Sequence, residues 1–231
     1  PPRRGRPSAS GTAWVRAAAT AALIPTRPDP TRPEAMRRMT DFAPLWLSLK
    51  VATLATCLVI LLGLPAAFLL ARARFAGKSL VAGVLALPLV LPPTVLGYLL
   101  LQVVGRRTWF GGWLEHNLNV VLVFHWSGAV LASAVAGFPL FLLPARGAFE
   151  AVDPGLEDAA RLLGRNEASV FFDVTLPLAW RGLAAGAALA FARALGDFGA
   201  TMMVAGNTPG LTQTASLAIY DAVQAGDPAR A

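Results

Sequence analysis

The chain has 231 residues, 55% of them apolar and 14% charged, with a mean hydropathy of +0.56. That is too apolar for an ordinary water-soluble domain and excludes a soluble single-core enzyme. Uncharged runs at 51–71, 79–105 and 117–145 are each long enough to cross a hydrocarbon core of roughly 30 Å, which takes about 20 helical residues.

Most of the net charge of +7 sits in residues 1–38, where eight arginines against Asp29 and Glu34 leave +6. The remaining residues carry only +1, which argues against a nucleic-acid-binding surface. The segment 1–38 is rich in Pro, Arg, Ala and Thr and lacks hydrophobic periodicity. It begins without a methionine, and is expected to be a disordered or non-native extension of the membrane domain at 39–231. Met36 and Met39 are candidate starts. The stretch 11–25 contains Arg16, is too short to span and lacks a cleavage-site pattern.

The expected class is all-α and polytopic, with spans near 44–70, 80–104, 120–143 and 178–204. Lys50, near the start of the first, is expected to snorkel to the headgroups. Cys57 lies in an apolar run and reads as a small packed side chain. Arg72, Arg74 and Lys78 form a basic loop. The second span contains Pro88, Pro92 and Pro93, whose missing backbone donors predict a break at membrane depth, tolerated only against protein or a water-filled cavity. Trp109 and Trp113, in the loop 105–119, suit an interfacial belt. His125 in the third span reads as a buried, satisfied histidine rather than a proton or ligand group.

Residues 145–177 change character and mix acids with bases. Asp153 before Pro154 marks a helix start, Leu156, Ala160 and Leu163 recur on one face, and Gly164 is a natural stop. Asn166 can cap a second short helix ending before Pro177. The segment therefore reads as a helix–turn–helix loop outside the bilayer. In the fourth span Gly182, Gly186, Ala190 and Ala194 form a small-residue ridge for close helix packing. Arg193 and Asp197 lie one turn apart beside Gly196 and Gly199. An isolated charge at the bilayer centre costs roughly 2.5–3.5 kcal/mol, which favours mutual pairing and leaves open a structural pair or a gate. Residues 207–231 are polar and shorter than a span. The bias of Lys and Arg among the short loops puts 145–181 in the cytoplasm and, by parity, the N-terminus outside, although the arginine-rich tail resists translocation.

No catalytic constellation emerges. Gly77-Lys78-Ser79 resembles the end of a phosphate loop, but Arg72 stands where that loop needs glycine, so this chain is not expected to bind ATP. His125-Trp126-Ser127-Gly128 lacks the elbow and the partners of a serine hydrolase. His116 and His125, without nearby Cys or Glu partners, make no metal site.

Asp158-Ala159-Ala160, three residues, Gly164, nine residues, Val174, one residue and Leu176-Pro177 resemble the signature loop of the membrane subunits of bacterial ABC importers. The usual first residue there is Glu, so Asp158 is a departure, with Glu157 supplying a second acid. Leu47-Ser48-Leu49-Lys50, the run from Leu87 to Pro93 with Gly97-Tyr98, Gly105-Arg106-Arg107 and the run from Phe191 to Thr201 resemble the molybdate-type permeases in particular, over residues 39–226. The last run is also similar to sulfate permeases, with Asp197 where Glu is common.

The resemblance implies a type I importer permease core of about five spans, the last missing from this chain, which would then be truncated at its C-terminus. It implies a multi-pass protein of the bacterial inner membrane, a homodimer, an extracytoplasmic molybdate-binding protein and a separate ATPase subunit that binds ATP and Mg. Sulfate or tungstate is the alternative cargo, and an ion-coupled secondary transporter the alternative class. The loop residues Glu157, Asp158, Ala159, Ala160, Gly164, Val174, Leu176 and Pro177 would engage the ATPase. Pro92, Pro93, Thr94, Arg193, Gly196, Asp197, Gly199 and Thr201, beside the two helix breaks, are the candidate path or gate residues, expected to line the path with backbone and small polar groups rather than a cluster of cations.

Overall fold

The computed structural model describes residues 34–73, 75–105, 108, 111–112, 116 and 122–226. The chain divides between Arg38 and Met39, and the architecture below is that of the unit Met39–Ala231. The tryptophans expected at the interface, Trp109 and Trp113, lie outside the described residues, as do Arg106 and Arg107.

Every regular element among the described residues is a helix. The first helix, α1 (Glu34–Arg72), begins before the expected 44, so residues 34–38 of the segment expected to be disordered are helical. Then follow α2 (Lys78–Val90), α3 (Pro93–Val104), α4 (Trp126–Glu150), α5 (Pro154–Leu162), the short α6 (Glu167–Val170), α7 (Leu176–Leu195), α8 (Gly199–Ala205) and α9 (Ala215–Gln224). Three helices are long and apolar enough to span: 42–72 of α1, the whole of α4, and the continuous rod from Glu167 to Leu195.

The second expected span is not one rod, because α2 and α3 are bent by 115° at their junction. The cause is local. Leu91 and Pro92 each precede a proline, whose ring disfavours the α region in its predecessor, and their ψ angles are 138° and 136°. Pro93 then opens α3, where its missing N–H is no loss. At 1.5 Å per residue the 13 residues of α2 extend about 20 Å, short of a bilayer.

The third span runs from 126 to 150 rather than 120 to 143. His125, instead of lying inside it, is its cap: its ring accepts from Ser127 N at 3.3 Å and sits 2.8 Å from Ser127 Oγ, half-buried. The fourth differs most from expectation. The second loop helix does not stop before Pro177 but continues through a π-helical turn at Phe171–Thr175 into α7. The wider turn lets the helix continue past Pro177, which has no N–H to donate. Consequently the connector between the long rods is 151–166 rather than 145–177, and the rod ends at Leu195, with α8 a separate short helix rather than its continuation to 204.

The core lies where α1, α4 and α7 meet, around Ala52, Ala55, Val59, Phe141, Leu142, Ala145 and Phe149, with Ala190 and Ala194 closing it. The ridge of small residues sets the α4–α7 approach: a Cβ at Gly186 would stand 3.0 Å from the Phe141 carbonyl oxygen, and one at Gly182 would stand 2.5 Å from Ala148 Cβ. At the loop end Phe68, Phe149 and Phe171 cluster, with ring centroids 5.1–6.3 Å apart and Phe68 edge-on to the other two. Outward-facing Trp46, Leu61 and Leu69 stay exposed, as a lipid-facing surface requires. Cys57 is on that exposed face of α1 and not packed. The Lys50 ammonium sits 3.7 Å over the Trp126 ring centroid.

Candidate functional site

Two helix breaks, one between α2 and α3 and one between α7 and α8, are pressed against each other. Glycine makes this contact: a Cβ on Gly97 would lie 2.7 Å from Met203 Cβ and 3.0 Å from Ala200 Cα, and one on Gly199 would lie 3.0 Å from Pro93 Cβ and 3.2 Å from Thr94 N. Beside the contact opens a cavity of about 390 Å³. Of the eight candidate path residues, Pro93, Thr94, Arg193, Gly196, Asp197 and Gly199 line it. Pro92 and Thr201 do not: Pro92 caps α3, and Thr201 is buried behind Asp197. Pro88, Leu89, Leu91, Ala136 and Phe198 complete the wall. Their part was not legible, since nothing in an apolar residue's type distinguishes a cavity wall from a lipid-facing or packed position.

Arg193 and Asp197 do pair, Nη1 to Oδ1 at 2.9 Å. The carboxylate does more than neutralise the arginine. Its Oδ2 accepts from Thr201 N at 3.0 Å and Thr201 Oγ1 at 2.7 Å, so it satisfies an otherwise orphan donor at the start of α8. The Asp197 carbonyl accepts from Ser216 Oγ at 3.0 Å, and Ala215 N donates to Ser48 Oγ at 2.7 Å, tying α9 to the break and to α1.

The loop forms a second cluster. Asp153 Oδ1 accepts from Gly155 N and Asn166 Oδ1 from Ser169 N, both at 2.8 Å, so both caps are as the sequence indicated. Gly164 has φ +84°, with Gly164 N bonded to Arg161 O and Arg165 N to Ala160 O, the pairing that ends a helix in a left-handed residue. The buried face of α5 is not the expected Leu156, Ala160 and Leu163: Glu157 and Ala160 face inward, whereas Leu156, Leu162 and Leu163 are exposed. The reason is Glu157, which reaches Arg72 Nη2 at 2.5 Å and accepts from Thr175 Oγ1 at 2.7 Å, anchoring α5 to the end of α1 and to the π turn.

Arg72 and Thr175 are site residues that sequence alone does not single out, since their partner Glu157 is distant in the chain. Asp158, by contrast, is exposed and pairs with Arg161 at 2.7 Å. Glu167, then Asp158, hold the Arg161 guanidinium in its charged form, raising its pKa. Ala159, Gly164 and Pro177 are exposed, while Val174 and Leu176 are half-buried. Among the described residues no group of His, Cys, Asp or Glu could hold a metal ion.

Residues 59–224 match the family model described as the binding-protein-dependent transport system inner membrane component. The chain belongs to that family. It is thus a multi-pass membrane transport subunit and not itself an enzyme. The match begins within α1 and ends with α9, so it takes in both helix breaks and the loop. The chain is 49% identical over 184 residues to the molybdenum transport system permease protein ModB of Escherichia coli K12, covering 80% of each chain. It is 43% identical over 186 residues to the putative molybdenum transport system permease protein YvgM of Bacillus subtilis, covering 80% of this chain and 82% of that one. With ModB of Azotobacter vinelandii it shares 38% identity over 191 residues, covering 83% and 84%.

Proposed function

We propose that this chain is the membrane-spanning subunit of an ATP-driven importer of molybdate, passing the oxyanion from an extracytoplasmic binding protein to the cytoplasm. The observation that carries this is the 49% identity over four-fifths of the chain to a permease named for molybdenum transport. A separate ATPase subunit would bind ATP and Mg²⁺ and dock on α5 and α6. In support, Leu162 and Leu163 are 88% and 85% exposed, and Asp158, Arg161 and Glu167 form a polar rim beside them. We infer a homodimer in the bacterial inner membrane, surrounded by lipid, with the cavity between the helix breaks as the solute path. Tungstate follows from its near-identical size and shape, and sulfate is the weaker alternative.

The experiment is reconstitution with the candidate ATPase and binding protein in proteoliposomes. Radiolabelled molybdate should accumulate with ATP, at higher rate than sulfate, and not without ATP. Sulfate uptake with molybdate excluded would reject the substrate while the importer stands. Uptake indifferent to the ATPase would reject the importer in favour of ion-coupled transport.

A further inference from the structure

We propose that Arg193 is the contact by which the cavity between the two helix breaks holds a tetrahedral oxyanion, and that Asp197 weakens that hold enough for the ion to leave. This deepens the path assigned above and rests on it. The two side chains of the pair are not equivalent. The Asp197 carboxylate is wholly buried and both its oxygens are engaged, Oδ1 by Arg193 and Oδ2 twice by Thr201. Arg193 lines the cavity, its side chain keeps 27% exposure, and among the described residues its one protein acceptor is Asp197 Oδ1.

A guanidinium carries five N–H donors in a planar fork that matches two oxygens of an oxyanion. With one donor directed at Asp197, the others remain for a ligand. The rest of the wall is mostly apolar, including Leu89, Leu91 and Phe198, with Thr94 alongside; such walls strengthen the field of a nearby charge. The cavity, at about 390 Å³, far exceeds the ~30 Å³ share of one water and accommodates a tetrahedral dianion with part of its hydration. A cation already paired with a fixed carboxylate gives a shallow well. A dianion that must move on requires a site of that kind, since an uncompensated arginine would retain it.

The test reads the charge in the cavity without relying on transport. In the full chain with its ATPase partner, carrying Cys57→Ser and Leu89→Cys, the rate of reaction with an anionic methanethiosulfonate reagent is compared with that of a cationic one. Arg193→Gln should lower the anionic-to-cationic ratio about tenfold, and Asp197→Asn should raise it by a similar factor. Arg193→Lys should keep the parent ratio, separating loss of charge from misfolding. Molybdate or sulfate at millimolar concentration should slow the anionic reagent in the parent and not in Arg193→Gln. Ratios unchanged by Arg193→Gln and Asp197→Asn, or protection that persists in Arg193→Gln, would overturn the proposal. ATP-driven molybdate uptake by the parent is measured in parallel: its absence would overturn the importer reading, and the reagent ratios would still decide the role of Arg193.

Discussion

Replacing Glu157 by Ala removes a carboxylate that joins three parts of the molecule. Its side chain is 8% exposed, and one oxygen, Oε1, serves both Arg72 at 2.5 Å and Thr175 at 2.7 Å, while Arg161 stands 4.0 Å from the other. After the change Arg72 retains only the Val152 carbonyl at 3.5 Å, and its Nε is already buried without a partner. Removing one member of a buried ion pair costs about 3–5 kcal/mol. Arg72 keeps 25% exposure, so water recovers part of this and the loss for Glu157→Ala should be about 3 kcal/mol. Arg72→Ala leaves the more deeply buried partner behind and should cost about 4 kcal/mol. The double variant should cost less than the two singles together, with a coupling of about 1–3 kcal/mol. Thermal unfolding of the purified chain in detergent reads these values at roughly 2–4 °C per kcal/mol, so Glu157→Ala should lower the midpoint by about 6–12 °C. Glu157→Gln keeps an acceptor for Thr175 and should lose less. Strictly additive losses, or midpoints at the parent value, would refute the view that this pair anchors the loop.

Three further outcomes are expected. Gly186→Ala brings a Cβ to 3.0 Å from the Phe141 carbonyl and should destabilise by about 1–3 kcal/mol, whereas Gly147→Ala, with nothing within 4 Å, should be neutral or stabilise by up to about 1 kcal/mol; thermal unfolding compares them. Gly164→Pro or Asp158→Lys should reduce co-purified ATPase and abolish uptake while leaving membrane insertion intact, because proline cannot adopt φ +84° and a reversed charge disrupts the polar rim; normal transport in both would remove the coupling role. In a Cys57→Ser background, Arg165→Cys should react with membrane-impermeant thiol reagents only from the cytoplasmic face and Gly112→Cys only from outside, and labelling of both from outside would reject the orientation.

The breaks and caps were legible because their causes are local. Consecutive prolines at 92 and 93 disfavour the α region in Leu91 and Pro92 whatever surrounds them, and Asp153, Gly164 and Asn166 act on backbone groups within three or four residues. The loop motif and the apolar runs likewise identify the class of protein, since span length is set by bilayer thickness. Three matters were left to the tertiary structure. Whether Pro177 ends a helix depended on a π turn that widens the backbone, which no residue type announces. Which face of α5 turns inward depended on Arg72, 85 residues away, whose pairing with Glu157 overrode the apolar periodicity. That the two breaks share one cavity depended on Gly97 packing against Ala200 and Met203, and Gly199 against Pro93 and Thr94. Hydropathy and helical period carry information along one helix, whereas these three results were decided by contacts and backbone geometry that neither records.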